Sequence, residues 1–267
     1  MSLSASDLDS LAQAKRLLEH PGLAARLAGV VGAPIERGLS ALPGRMSGAI
    51  TEITRRSLDK ALNVALLTMK NPVQGEAVPV RAPKSADWWH KIAVGTSGAV
   101  GGAFGMAALT VELPISTTIM LRSIADIARS NGENLALPQA RLECLQVLAL
   151  GGPSRKDDAS DAGYFAARAA LAQALHAAAL HLSQKGLTSS GAPVVVKLVA
   201  EIATRFSVTV SEKAVAQAVP VIGALGGAAI NALFIDHFQD MGRGHFTVRR
   251  LERHYGEDAV REAYQRL

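Results

Sequence analysis

Residues 92–111 and 214–235 each run for about the thickness of a bilayer without one charged side chain. Both are built from Gly, Ala and Val rather than Leu and Phe. Glycine costs about 1 kcal/mol per helical position relative to alanine. A helix carrying Gly95, Gly98, Gly101, Gly102 and Gly105 therefore demands a close packing partner. Ser97, Gly101 and Gly105 recur at helical spacing, as do Gly223 and Gly227, and Ala224 and Ala228. Small residues at that spacing form a groove into which another backbone can settle.

What fills the groove decides the class of object. Only Ile92, Val94, Val100, Phe104, Leu109 and Val111 favour lipid strongly in the first stretch, at about −0.3 to −0.6 kcal/mol each. The glycines and Thr96, Ser97 and Thr110 erode that gain, and Gln217, Pro220 and Asn231 do the same in the second stretch. Insertion is marginal, so the balance leans towards two apolar helices crossed in a crowded protein core. Direct membrane contact is the alternative, and Trp88 and Trp89, beside Lys91, stand where an interfacial anchor belongs.

Hydrophobic residues make up 49% of the chain and aromatics only 4%, a filler of alanine that suits close helices rather than sheets. No stretch alternates long enough to build a sheet, so the expected class is all-α, a multi-helix bundle. A net charge of +5 with acids and bases interleaved leaves no nucleic-acid arm, and the shortage of aromatics leaves no stacking platform. Cys144 is the single cysteine, read as a packed thiol. The polar, acidic start lacks a secretory pattern, which points to the cytosol or the cytosolic face of a membrane.

Breakers divide the chain into an N-terminal helical segment (1–70), a proline-rich linker (71–84) and a larger helical domain (85–267). Helices are expected at 6–20, 23–42 with a kink at Pro34, 46–69, and through the first Gly-rich stretch. Pro114 is expected to start the next helix, which stops at Gly132. Helices at 138–150, 161–184 and 193–206 follow, then an extended link at 208–210 and a second Gly-rich helix, bent at Pro220, reaching about Met241. A short pair, 247–255 and 258–266, hinges at Gly256.

Catalytic signatures are absent from the sequence: no H-E-x-x-H, no G-x-S-x-G, no P-loop and no E-x-x-H pair. Two polar clusters remain. Asp236, His237, Asp240 and His245 offer carboxylate and imidazole ligands to a divalent cation. The ordinary alternative pairs the two aspartates with Arg243, Arg249 or Arg250, and it is favoured because buried carboxylates need partners. Glu112, Arg122, Asp126 and Arg129 form the second cluster, with an Arg122–Asp126 ion pair expected one turn apart. Each apolar stretch closes on an acid, so Glu112, Asp126, Asp236 and His237 are expected to meet in one polar pocket. Arg249, Arg250 and Arg253 could face anionic lipid headgroups.

Three blocks are idiosyncratic: VELPISTTIMLRSIADIARSNGENL at 111–135, ECLQVLALGG at 143–152, and VPVIGALGGAAINALFIDHFQDMGRGHFTVRRLERHY at 219–255. Together they resemble the EcsC protein family of bacteria, over most of the chain from about Trp88 onward. The resemblance implies a membrane-linked context, since the family is named for a protein encoded beside an ABC transporter and linked to secretion and competence. It implies no reaction. The resulting expectation is a non-enzymatic accessory protein at the cytoplasmic membrane, binding lipid or an integral partner, without a cofactor and without nucleic acid. A metal-dependent hydrolase using Asp236, His237, Asp240 and His245, and a soluble homo-oligomeric scaffold joined through the small-residue grooves, are the competing expectations.

Overall fold

A computed structural model describes residues 3–19, 22–32, 35–68, 101–151, 163–186, 191–218 and 223–267. Among them stand ten helices: α1 (Ala5–Glu19), α2 (Leu23–Val31), α3 (Ile35–Ser40), α4 (Gly44–Thr68), α5 (Gly101–Ser130), α6 (Pro138–Leu150), α7 (Gly163–Lys185), α8 (Pro193–Gln217), α9 (Gly223–Tyr255) and α10 (Glu257–Arg266). The described residues contain no strand, and the class is an all-α helical bundle.

At the centre lies α6. Pro138 opens it, where a missing amide hydrogen costs nothing, and Gly151 closes it. Every side chain from Ala140 to Ala149 is buried, because α4, α5, α7, α8 and α9 all pack around this one helix. Arg141, Glu143 and Gln146 are therefore interior residues.

The two long helices α5 and α9 pack on one another. Ser123 accepts a hydrogen bond from Gln239, Ile124 lies against Gly242, and Arg253 donates to the Asn131 carbonyl. Residue numbers rise together along both helices, so the pair is parallel. Helix α8 runs the other way: Phe206 meets Phe238 at 5.3 Å between ring centroids, while Lys213 lies 4.6 Å from the Phe234 ring. Helix α1 clasps the far end of α9, burying Leu11 and Ala14 beside Val248, Leu251 and Tyr264.

Several boundaries differ from expectation. Residues 208–210 are helical within α8: burial of Thr209 and Val210 overrides the weak β-propensity of Val-Thr-Val. Ser211 bonds back to the Ser207 carbonyl and caps nothing. The stretch 214–235 is shared by the end of α8 and the start of α9. Helix α9 continues through Gly242 and Gly244 to Tyr255, because close packing holds those positions helical. Pro114 sits inside α5, where packing against α4 offsets the lost backbone bond. Residues 23–42 form two helices, since Gly32 takes a left-handed φ of 68° and ends α2. The expected linker at 71–84, Trp88 and Trp89, and residues 92–100 lie outside the described residues.

Candidate functional site

Parallel packing of α5 and α9 puts their uncharged halves at the same end of the molecule. On α9 no charge occurs before Asp236, a run of about 20 Å from Gly223 at 1.5 Å per residue. On α5 the first charge is Glu112, and the antiparallel α8 brings its uncharged last turn, Ala214–Gln217, to this same end. Val111 and Ile115, one turn apart on α5, stand 51% and 53% exposed here. Among the described residues no helix is long and apolar enough to cross a membrane.

The first charge on α5 and the last on α8 are spent inward. Lys213, fully buried, donates to Glu112 Oε1, and Gln217 approaches Glu112 Oε2 at 3.5 Å. The Phe234 ring covers the ammonium. Burial lowers the Lys213 pKa, and the Glu112 carboxylate opposes that shift.

The other end carries a second buried network, joining α6, α7 and α9 to the loop that follows α5. His245, fully buried, has Nδ1 3.0 Å from the Tyr164 hydroxyl and Nε2 3.3 Å from Glu143 Oε2, too oblique for a full hydrogen bond. Arg168 donates to both Glu252 oxygens at 2.7 and 3.0 Å. Arg249 bridges Glu133 at 2.9 Å and Glu143 at 2.8 Å. Burial holds His245 below its ordinary pKa, against the pull of Glu143. Burial also opposes ionisation of Glu143, but His245 and the cations Arg249 and Arg168 prevail and lower its pKa. Burial raises the Tyr164 phenol pKa and keeps it protonated beside His245 Nδ1.

The expected pocket does not form. Glu112 is consumed by Lys213, whereas Asp126, about 21 Å further along α5, is exposed and accepts from Arg129 at 2.7 Å. Arg122 is exposed and is not the partner of Asp126, which pairs three residues on rather than four back. Asp236 is exposed, while His237, 100° round the helix, is buried with Nε2 2.7 Å from the Gly151 carbonyl. Burial lowers the His237 pKa, the Gly151 bond opposing it. Asp240 accepts from Arg243 at 2.8 Å and from Arg26 at 3.5 Å. Asp236 and Asp240 thus share an outer face, while His237 and His245 are buried away from them. Among the described residues no group of three or more His, Cys, Asp or Glu could hold a metal ion.

The basic stripe is also redistributed. Arg249 points inward to its two glutamates, and Arg253 is tied to Glu133 and the Asn131 carbonyl. Arg250 remains exposed, about 40 Å along α9 from Gly223 and hence far from the uncharged pole. The interior residues that sequence reasoning missed are Lys213, Glu143, Tyr164, Arg168 and Glu252. A signal existed for Glu143: with Arg141 and Gln146 it lies on three different faces of a stretch otherwise apolar from Ala140 to Leu150, which marks a helix without a wet side.

A family model described as the EcsC protein family matches residues 6–251. The match takes in α1–α4 as well as the blocks from residue 88 onward. No curated protein and no solved structure matches the chain.

Proposed function

Since the chain belongs to the EcsC protein family, a membership that specifies no reaction, we propose from its surface that it is a non-enzymatic accessory protein resting its uncharged pole on the cytoplasmic membrane. The observation that carries this reading is the exposure of Val111 and Ile115 at the edge of that pole. Two half-exposed β-branched side chains on one helix face gain by entering the headgroup–acyl boundary, at depths of about 5–10 Å. Glu112 and Lys213 oppose nothing, because they neutralise each other in the interior.

The reading is peripheral rather than spanning. It needs no helix to cross the bilayer, only a pole that sheds little hydration when it touches one. Flotation of the full chain with lipid vesicles tests it. The protein is expected to rise with the vesicles, and the double variant Val111→Ser/Ile115→Ser to bind roughly tenfold more weakly, at about 1 kcal/mol or less of lost burial per side chain. In lysed cells the wild type is expected in the membrane fraction, released by detergent or high salt. Failure of the wild type to float, or equal flotation of the variant, would overturn the proposal.

A further inference from the structure

Beside Val111 a groove opens between α4 and α5. Its floor is Ile53 on α4 with Thr110 and Pro114 on α5; its α4 rim carries Arg56, Asp59 and Lys60. Pro114 brings no amide hydrogen to this wall, so α5 presents a ring of carbons where a helix ordinarily presents a satisfied backbone turn.

The rim charges are unequal in availability. Asp59 is engaged by Arg55 at 3.1 Å, and its pKa is raised, first by burial and against the pull of Arg55. Arg56 leans on Glu52 at 2.6 Å with most of its side chain exposed, a solvent pairing of the kind that exchanges at little cost. Lys60 is exposed and makes no ion pair among the described residues. It is also the last charged residue of α4, which continues uncharged from Ala61 to Thr68. Arg56 and Lys60 are one turn apart on the same face, so two cations overlook an apolar slot.

We infer that this groove seats the glycerophosphate of an anionic membrane phospholipid, its phosphate on Lys60 and Arg56 and its glycerol and upper acyl carbons on Ile53 and Pro114. The inference rests on the membrane reading above and adds headgroup selectivity to it. Charge complementarity chooses the occupant: a cationic rim over an apolar floor fits a phosphate attached to hydrocarbon. The adjacent Val111 and Ile115 would enter the same leaflet that supplies the lipid.

The experiment measures binding of the full chain to three vesicle sets: neutral phosphatidylcholine, phosphatidylcholine with phosphatidylglycerol, and phosphatidylcholine carrying equal negative charge as oleate. Binding is expected to be strongest with phosphatidylglycerol. Arg56→Gln/Lys60→Gln should lower that binding about twenty-five-fold, at about fivefold per basic residue near an anionic surface, while leaving binding to neutral vesicles unchanged. The charge-preserving Arg56→Lys/Lys60→Arg should keep it. Equal wild-type binding to phosphatidylglycerol and oleate vesicles would mean a diffuse field and would overturn the groove while leaving the membrane reading intact. So would an unaffected glutamine variant, or one that also loses neutral vesicles. No binding to any vesicle would overturn the membrane reading itself.

Discussion

Lys213 is the most consequential single side chain of the uncharged pole. An ammonium in apolar surroundings survives only with a matched anion, and Glu112, 101 positions earlier, supplies it. Removing either partner leaves a bare buried charge. Glu112→Ala and Lys213→Ala are each expected to cost about 3–5 kcal/mol, and Glu112→Leu/Lys213→Met well below the sum of the two. Urea unfolding of the four proteins measures this, and additive losses would show that the pair is not coupled. Half of this pair was legible in the sequence: Glu112 ends a charge-free run and had to be paired. Its partner was not, because Lys213 follows a Val-Thr-Val segment read as extended, which has no defined facing until burial makes it helical.

At the scale of elements, glycines in α9 serve opposite ends. A Cβ at Gly244 would lie 2.6 Å from Leu18 Cγ and 3.1 Å from the Ala14 carbonyl oxygen, so Leu18 clashes with it and the α1 backbone crowds it. A Cβ at Gly227 would meet nothing within 4 Å. Gly244→Ala is therefore expected to destabilise by about 1–3 kcal/mol, by forcing α1 off α9. Gly227→Ala is expected to stabilise by about 0.5–1 kcal/mol, by removing backbone freedom from the unfolded chain. Thermal and urea midpoints check both signs; a shared sign would mean that α1 does not set the constraint. The same contrast explains what sequence reading could see. The 3.6-residue periodicity revealed nearly every helix. It misplaced ends at Pro114, 208–210 and Gly242, where local propensity says stop and a neighbouring helix says continue. Gly227, one of the glycines that suggested a close helix crossing, has open space over it, while Gly244, passed over, has a backbone against it.

For the whole molecule, polarity of construction follows from parallel α5 and α9: among the described residues their uncharged halves share one end, and buried ion pairs lace the other. That second end carries an acid liability. His245 belongs to its network, and His237 sits between the two ends; both are held below the ordinary imidazole value of 6.5, so both stay neutral when folded. The unfolded chain takes up these protons first as pH falls, so stability is full above about pH 6.5 and declines below it, towards the lower folded-state pKa values. Glu143, lowered from 4.5, adds a second loss as pH falls below that value. The decline is expected to approach 1.4 kcal/mol per pH unit for each histidine, and His237→Gln/His245→Gln should flatten it between pH 6.5 and 5. Urea midpoints from pH 8 to 4.5 would show it, and a level wild-type profile would contradict it. From the sequence, the uncharged stretches, the helical class and the inward need of Glu112 were legible. The lacing of the charged end was not, because its members come from three helices and a loop, and no spacing along the chain connects them.

The clasp of α1 on α9 has a consequence for how such a chain comes into being. Ser4 and Tyr255, joined by a hydrogen bond, are 251 positions apart. During synthesis the helix bearing Leu11 emerges long before the surface that covers it, and α6 emerges with the sides that α7, α8 and α9 cover still bare. Contacts this distant along the chain are slow to close, and greasy helices left waiting adhere to whatever is near. Newborn copies therefore keep these apolar faces uncovered until α9 has left the ribosome.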